Sequence, residues 1–216
     1  MRKLKVGVLV SGRGSNLQAI IDNIGNGSLS AEVAVVISDQ PDAYALERAR
    51  KQHIPGVPVS ARGFKGKRDE YDALLVKELQ KHNVELVILA GFMRIITPTL
   101  LTAFPNRVMN IHPALLPSFP GLHVQKAALE HGVKFSGCTV HFVDESMDTG
   151  PIIIQAVVPI LDNDTEDSLS ARILKQEHVI YSRAIQLYAE GKLKIEGRRV
   201  LMSGGRTSAE ETLLNP

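Results

Sequence analysis

The segment Asn110-Ile111-His112-Pro113-Ala114-Leu115-Leu116-Pro117-Ser118-Phe119-Pro120-Gly121 carries the sharpest chemical signal in the chain. A short apolar run ends in Asn110 and His112, and strand alternation points both side chains to one side. An amide that donates to a developing oxyanion, beside an imidazole that moves a proton near neutral pH, suits acyl transfer. Pro113, Pro117, Pro120 and Gly121 then hold a stiff exit loop. A histidine at a strand end also serves as an ordinary hydrogen-bonded structural residue, and the spacing alone leaves both readings open.

A second signal is Ser11-Gly12-Arg13-Gly14-Ser15-Asn16, which follows the first apolar run and opens the first amphipathic stretch. Its glycines let the backbone approach a ligand, and the free N–H groups of a helix N-terminus favour an anion. Ser15 and Asn16 add side-chain donors. A dinucleotide fingerprint would place a third glycine at position 17, which is Leu17, and the Gly-Lys-Ser/Thr of a Walker loop is missing. The loop therefore suits one phosphate monoester rather than a pyrophosphate; a plain tight turn with a helix cap is the competing reading. A third element, Asp144-Glu145-Ser146-Met147-Asp148-Thr149-Gly150-Pro151, is a polar loop between two apolar runs. It reads either as an acidic turn or as a source of carboxylates that orient His112 or a water.

These loops need a scaffold, and the hydrophobic pattern supplies one. Lys5–Val10, Glu32–Ile37, Glu85–Ala90 and Arg107–Ile111 are rich in Val, Ile and Leu and too short for buried helices. Ser15–Ile24, Ala43–Gln52, Arg68–His82 and Leu122–His131 carry apolar residues at helical spacing, as Tyr71, Leu74, Leu75 and Leu79 do. Buried strands alternating with helices predict an α/β fold, with a mostly parallel twisted sheet and helices on both faces. Asn110 and His112 then lie at the carboxyl end of a strand, where open α/β sheets bind ligands. Phe135–Val143 and Pro151–Ile160 have no helix between them, which predicts an antiparallel addition in the C-terminal half. Asp164-Thr165-Glu166-Asp167 opens a long helix, with a cap and an acidic first turn, that runs to about Ala189.

The 216 residues fit one domain, expected over residues 1–200, with 201–216 expected as a poorly ordered tail rich in Ser, Gly, Thr and Glu. The 25 Lys and Arg against 23 Asp and Glu give a net charge of +2, too small to argue for a nucleic-acid partner. Cys138 is the single cysteine, so an intramolecular disulfide and zinc sites built from several thiolates are excluded. The seven histidines show no paired metal-ligand spacing, and no metal is expected. No apolar stretch reaches 18 residues, and the apolar run after Met1–Lys3 breaks at Ser11-Gly12. A cytoplasmic protein with no membrane partner is expected.

Taken together, these residues resemble the phosphoribosylglycinamide formyltransferase family of folate-dependent enzymes. The likeness runs from about Lys5 to Leu193 and rests on Ser11–Asn16, Leu46–Arg50, Leu89–Ile95, Asn110–Gly121, Asp148–Gly150 and Gln176–His178. It implies a Rossmann-like formyltransferase fold whose N-terminal half binds phosphate and whose C-terminal half binds folate. It implies transfer of a formyl group from 10-formyltetrahydrofolate, as co-substrate, to the amine of glycinamide ribonucleotide. The product is formylglycinamide ribonucleotide, in purine synthesis. Asn110, His112 and Asp148 match the family's catalytic trio, and Gly14, Ser15 and Asn16 match its substrate-phosphate loop. Met93, Arg94, Ile95 and Ile96, with Asn110 and Arg68, match folate contacts, and Glu177 matches a residue near the glycinamide end. An anion at Asp148 would favour the charged form of His112. The chain departs from the family pattern at Thr149, where a second glycine is common, and at Leu174, where some members are polar.

The likeness implies small-molecule partners only, with the chain acting as a monomer or homodimer. Two relatives share the trio: methionyl-tRNA formyltransferases, which usually carry a C-terminal tRNA domain, and formyltetrahydrofolate hydrolases, which usually carry an N-terminal regulatory domain. A nucleotide-binding regulatory module using only Ser11–Asn16 is a reading of a different class, and it gives no reason to keep Asn110, His112 and Asp148 together.

Overall fold

The computed structural model describes residues 2–204. In chain order the elements are β1 (Leu4–Val10), α1 (Ser15–Gly25), β2 (Ala31–Ser38), α2 (Tyr44–Lys51), β3 (Gly56–Pro58), α3 (Arg68–Lys81), β4 (Leu86–Leu89) and α4 (Pro98–Ala103). They continue with β5 (Val108–His112), α5 (Val124–His131), β6 (Phe135–Phe142), β7 (Ile152–Pro159), α6 (Glu166–Ala189), β8 (Leu193–Glu196) and β9 (Arg199–Met202). The strands form one nine-stranded sheet in the order β3-β2-β1-β4-β5-β6-β7-β9-β8. From β3 to β5 all pairings are parallel; β5–β6, β6–β7 and β8–β9 are antiparallel. The predicted parallel sheet with an antiparallel addition is the observed architecture.

Alternation along the strands divides the core between the two faces of the sheet. On β1, Val8 and Val10 pack with Leu17, Ile20, Ile173 and Tyr181 of α1 and α6, whereas Leu9 packs with Tyr71, Leu75 and Leu79 of α3. Around β1 and β4 helices cover both faces of the sheet, which explains the near-continuous apolar runs of β1, β2 and β4. Helix α6 begins with a reciprocal capping box between Thr165 and Ser168, followed by Glu166 and Asp167 in the first turn. Its buried stripe reads Leu169, Ile173, Glu177, Ile180, Ala184, so a carboxylate stands where the helical period calls for an apolar residue.

The strand order reverses between β1 and β4, with β2 and β3 on one side and β5 on the other. Crossovers from these strands run to opposite faces, and the crevice beyond their carboxyl ends is open to a ligand. Residues 11–16 follow β1 and residues 90–96 follow β4. Asn110 and His112 end the neighbouring β5.

Five short elements differ from the sequence-based expectation. Strand β3 and helix α4 are three and six residues long, too short to show a period. Helix α5 starts at Val124 rather than Leu122, because His123 takes a left-handed conformation with φ 56°. Strands β8 and β9 form a hairpin that reaches Met202, so Leu201 and Met202, at the start of the expected tail, pair with Lys194 and Leu193. The rest of that tail, from residue 205, lies outside the described residues.

Candidate active site

Strand β5 pairs with β6 so that Asn110 faces His141 and His112 faces Thr139. The His141 Nδ1 lies 2.9 Å from the Phe142 carbonyl, to which it donates. This leaves Nε2 as an acceptor, and the Asn110 amide nitrogen donates to it at 3.2 Å. His141 is almost wholly buried, and burial pushes its pKa below 6.5. The Phe142 carbonyl and Asp148 oppose that shift without reversing it. A neutral, tautomer-fixed imidazole therefore sets the rotation of the Asn110 amide, and the second amide N–H remains for another acceptor.

His112 is 4% exposed and sits between two loops. Its Nε2 lies 2.8 Å from the Phe119 carbonyl, and its Nδ1 lies 3.4 Å from Asp148 Oδ2. Both neighbours accept, so only the doubly protonated ring donates at both ends. The same Asp148 oxygen accepts from the Gly121 N–H at 3.0 Å, which ties the exit loop of β5 to the β6–β7 loop. Asp148 itself has a φ of 55°, a left-handed conformation that non-glycine residues rarely adopt and that clusters at functional sites.

The β6–β7 loop is held from several directions. The Thr149 hydroxyl donates to Asp144 Oδ1 at 2.7 Å, a closure that glycine at this position could not make. Arg198, in the β8–β9 turn, donates to the Thr149 carbonyl at 2.7 Å. Gly150 packs against the Phe142 carbonyl so closely that a β-carbon would collide with it. The loop carrying Asp148 is thus fixed to the sheet on one side and to the C-terminal hairpin on the other.

Beside these residues lies a cavity of about 370 Å³. Its lining includes Asn110, His112 and Asp148 together with Met93, Arg94, Ile95 and Ile96. Met147 and Leu122 stand on its rim at 52% and 76% exposure, apolar surface offered to a flat ligand. Arg68 is not part of this cavity; it lines an adjoining one that shares Met93, Arg94 and Ile95.

The loop after β1 forms a separate feature. Gly14 caps α1 with φ 70° and ψ 38°, and no side chain bonds the first helical N–H groups, which stay free for an anion. A β-carbon on Gly14 would lie 2.7 Å from that of Ala45. Arg48 steadies the loop by donating to the Arg13 carbonyl at 2.8 Å. The loop meets the cavity wall through Ser11, whose N–H donates to the Gly91 carbonyl and whose hydroxyl accepts from the Met93 N–H at 2.9 Å.

Asn16 behaves differently from the expectation of a side-chain donor aimed at an anion. Its amide nitrogen donates to Glu177 Oε2 at 2.7 Å, inside the core, so the free group near the loop is its backbone N–H. Glu177 is 7% exposed, and burial raises its pKa above 4.5 although the Asn16 bond and the nearby His112 oppose it. Neither Glu177 nor Ser11–Asn16 lines the 370 Å³ cavity. Cys138, next to this carboxyl, is fully buried, and burial pushes its thiol up to about 12. Among the described residues no group of His, Cys, Asp or Glu is arranged to hold a metal ion, and no helix is long and apolar enough to cross a membrane.

Comparison with known proteins agrees with this geometry. Residues 4–185 match the family described as formyl transferase. The phosphoribosylglycinamide formyltransferase of Escherichia coli is 42% identical over 203 residues, covering 94% of this chain and 95% of the relative. The trifunctional purine biosynthetic protein adenosine-3 of Drosophila melanogaster is 50% identical over 192 residues, and there this chain spans 14% of the relative's length. Among solved structures, glycinamide ribonucleotide transformylase 1 of Symbiobacterium toebii superposes with a TM-score of 0.90 at 54% identity, covering 93% of this chain and 94% of that one.

Proposed function

The chain belongs to the formyl transferase family, in its phosphoribosylglycinamide formyltransferase branch, and from that premise we propose that it formylates glycinamide ribonucleotide with 10-formyltetrahydrofolate. One observation carries the reading. His112 is held between Asp148 and a loop carbonyl, beside an amide fixed by His141, in the lining of a largely apolar cavity.

In this reading the folate occupies the 370 Å³ cavity and brings its formyl group to Asn110 and His112. The ribonucleotide enters from the other side of the crevice. Its phosphate rests on the N–H groups of Gly14, Ser15 and Asn16, and Glu177 meets its glycinamide end. The amine attacks the formyl carbon, and the formyl oxygen gains negative charge. The second N–H of Asn110 donates to that oxygen. His112 Nε2 exchanges the Phe119 carbonyl for it, while Nδ1 stays with Asp148. One such donor is worth about 3–4 kcal/mol, or roughly 10²–10³ in rate.

The attacking amine then loses a proton, which a water on Asp148 relays to the folate N10. The carbon–N10 bond breaks, leaving the formylated amide and tetrahydrofolate. Each proton and electron pair is accounted for by these residues and a water, within the cytoplasm and between small molecules alone. The test is the optical loss of 10-formyltetrahydrofolate with and without glycinamide ribonucleotide. Turnover only with the ribonucleotide supports the reading, whereas equal turnover without it makes the protein a hydrolase.

A further inference from the structure

Residues 90–97 run from the end of β4 to the start of α4 without joining any strand or helix, and Met93, Arg94, Ile95 and Ile96 among them line the 370 Å³ cavity. Among the described residues the backbone of Arg94, Ile95 and Ile96 makes no hydrogen bond. The segment is fastened at its two ends instead. The Met93 N–H donates to the Ser11 hydroxyl at 2.9 Å, and the Thr97 N–H donates to Asp72 Oδ2 at 2.7 Å. The Thr97 hydroxyl donates to the same oxygen at 2.9 Å. Anchors, rather than a ladder of its own, decide where this stretch stands.

Asp72 is a costly anchor. It lies on α3, is 2% exposed and is absent from the cavity lining. Burying a carboxylate costs more than burying a neutral acceptor, and burial pushes its pKa above 3.8 although the Thr97 bonds and the Arg94 charge oppose the rise. Thr97 in turn neglects its local task. It is the N-cap of α4, where a threonine oxygen ordinarily accepts from a first-turn N–H, yet its side chain makes no such bond and reaches Asp72 instead. Two residues thus depart from local rules to make one contact across 25 positions, and such departures gather at functional sites. The neighbouring Tyr71 adds a second grip: the Arg94 guanidinium lies 4.5 Å over its ring, and its hydroxyl donates to the Val59 carbonyl at 2.8 Å.

We propose that Asp72 is a positioning residue for the cofactor: it touches no ligand and, through Thr97, holds the Met93–Ile96 segment where a flat ring can lie between it and residues 144–148. The proposal rests on the reading of this cavity as the folate site. Hydrogen bonds to an ionised acceptor are shorter and stronger than neutral ones, so a carboxylate fixes the Thr97 backbone more firmly than an amide does. A segment freed from that anchor has to be ordered when the ligand arrives, and the ordering is subtracted from affinity. The ribonucleotide's loop is fastened at the other end, through Ser11, and keeps its own contacts. Loss of the Asp72 anchor therefore falls on one substrate and spares the other.

The experiment measures kcat and the KM values for 10-formyltetrahydrofolate and glycinamide ribonucleotide in the intact protein, Asp72→Leu, Thr97→Val and Thr97→Ser. Asp72→Leu should raise the cofactor KM about five- to twentyfold, the scale of a lost hydrogen bond to a charged group, and hardly move the ribonucleotide KM. Thr97→Val removes one of the two bonds; it should show the same split at about threefold, and it serves if Asp72→Leu does not fold. Thr97→Ser keeps the hydroxyl and should behave as the intact protein does. Thr97→Val should add almost nothing to Asp72→Leu, because both break one link. An unchanged cofactor KM, or both KM values rising together, overturns the proposal. If the intact protein does not use 10-formyltetrahydrofolate, the functional reading fails, and NMR order parameters decide the anchoring alone. Values that fall at residues 94–96 in Thr97→Val, with β4 unchanged, support it; values that stay the same overturn it.

Discussion

Asn110 lies directly across the β5–β6 pairing from His141 and donates to its Nε2 at 3.2 Å. The buried imidazole is in turn locked by its own bond to the Phe142 carbonyl. His141 thereby decides which way the Asn110 amide, the proposed oxyanion donor, points.

Replacing His141 with Phe should therefore lower kcat by about 10-fold or more, bounded by the roughly 10²–10³ that one oxyanion donor contributes. The ribonucleotide KM should hardly change. In Asn110→Ala the same replacement should add almost nothing, because the group it positions is gone. Steady-state kinetics on the two single variants and the double variant measures this, and independent losses would reduce His141 to a core residue.

His112 and Asp148 should act as a unit. His112→Ala is expected to cost roughly 10²–10⁴ in kcat. Asp148→Asn keeps an acceptor for the Gly121 N–H, so it should fold normally while losing the anion beside Nδ1. The double variant should lose far less than the product of the two single losses. Multiplicative losses in a double-mutant cycle would leave Asp148 an ordinary loop carboxylate.

Gly14→Val tests the phosphate loop. The left-handed φ of 70° and the 2.7 Å approach to Ala45 leave no room for a side chain, so the loop must shift. Initial-rate measurements should show the ribonucleotide KM rising severalfold or more while the folate KM holds. Equal changes in both would move the phosphate elsewhere.

Glu177 makes stability depend on pH. Burial holds its folded carboxyl above 4.5, so the folded state binds the proton more tightly than the unfolded chain does. Ionising it costs stability as the pH rises from 4.5 through the folded value. Glu177→Gln keeps the acceptor for Asn16 and removes that cost. Its Tm advantage over the unaltered protein should be larger at pH 8 than at pH 4, while activity falls. A gap that is flat or shrinks with pH would show that Glu177 ionises freely in the fold.

Much of the candidate site's geometry was legible because its strongest signals are local. Strand alternation placed Asn110 and His112 together, and the break after β1 placed the glycine loop at the start of α1. Glu177 was named only through the family resemblance; the structure shows that it stands in the apolar stripe of α6 that runs from Leu169 to Ala184. His141 was hidden because its part depends on the register of β5 against β6, which no residue pattern specifies. The Asn16 side chain was misjudged for a related reason: its partner lies on a helix far along the chain. Helix α4 and the β8–β9 hairpin are too short for periodicity to reveal, and only tertiary packing makes them regular.

The Asn16–Glu177 hydrogen bond joins residues separated by 161 positions, whereas Asn110 and His141 are separated by 31. Closing the longer loop costs about 1.5 kcal/mol more chain entropy than closing the shorter one. Contacts of high sequence separation slow folding, so the two sides of the crevice should mature at different times. Pulse-labelled hydrogen exchange during refolding should show β5 and β6 protected first, with the start of α1 and the middle of α6 protected later. A chain stalled between those events would already hold Asn110 against His141 and still lack the Asn16–Glu177 bond beneath the loop proposed to bind phosphate.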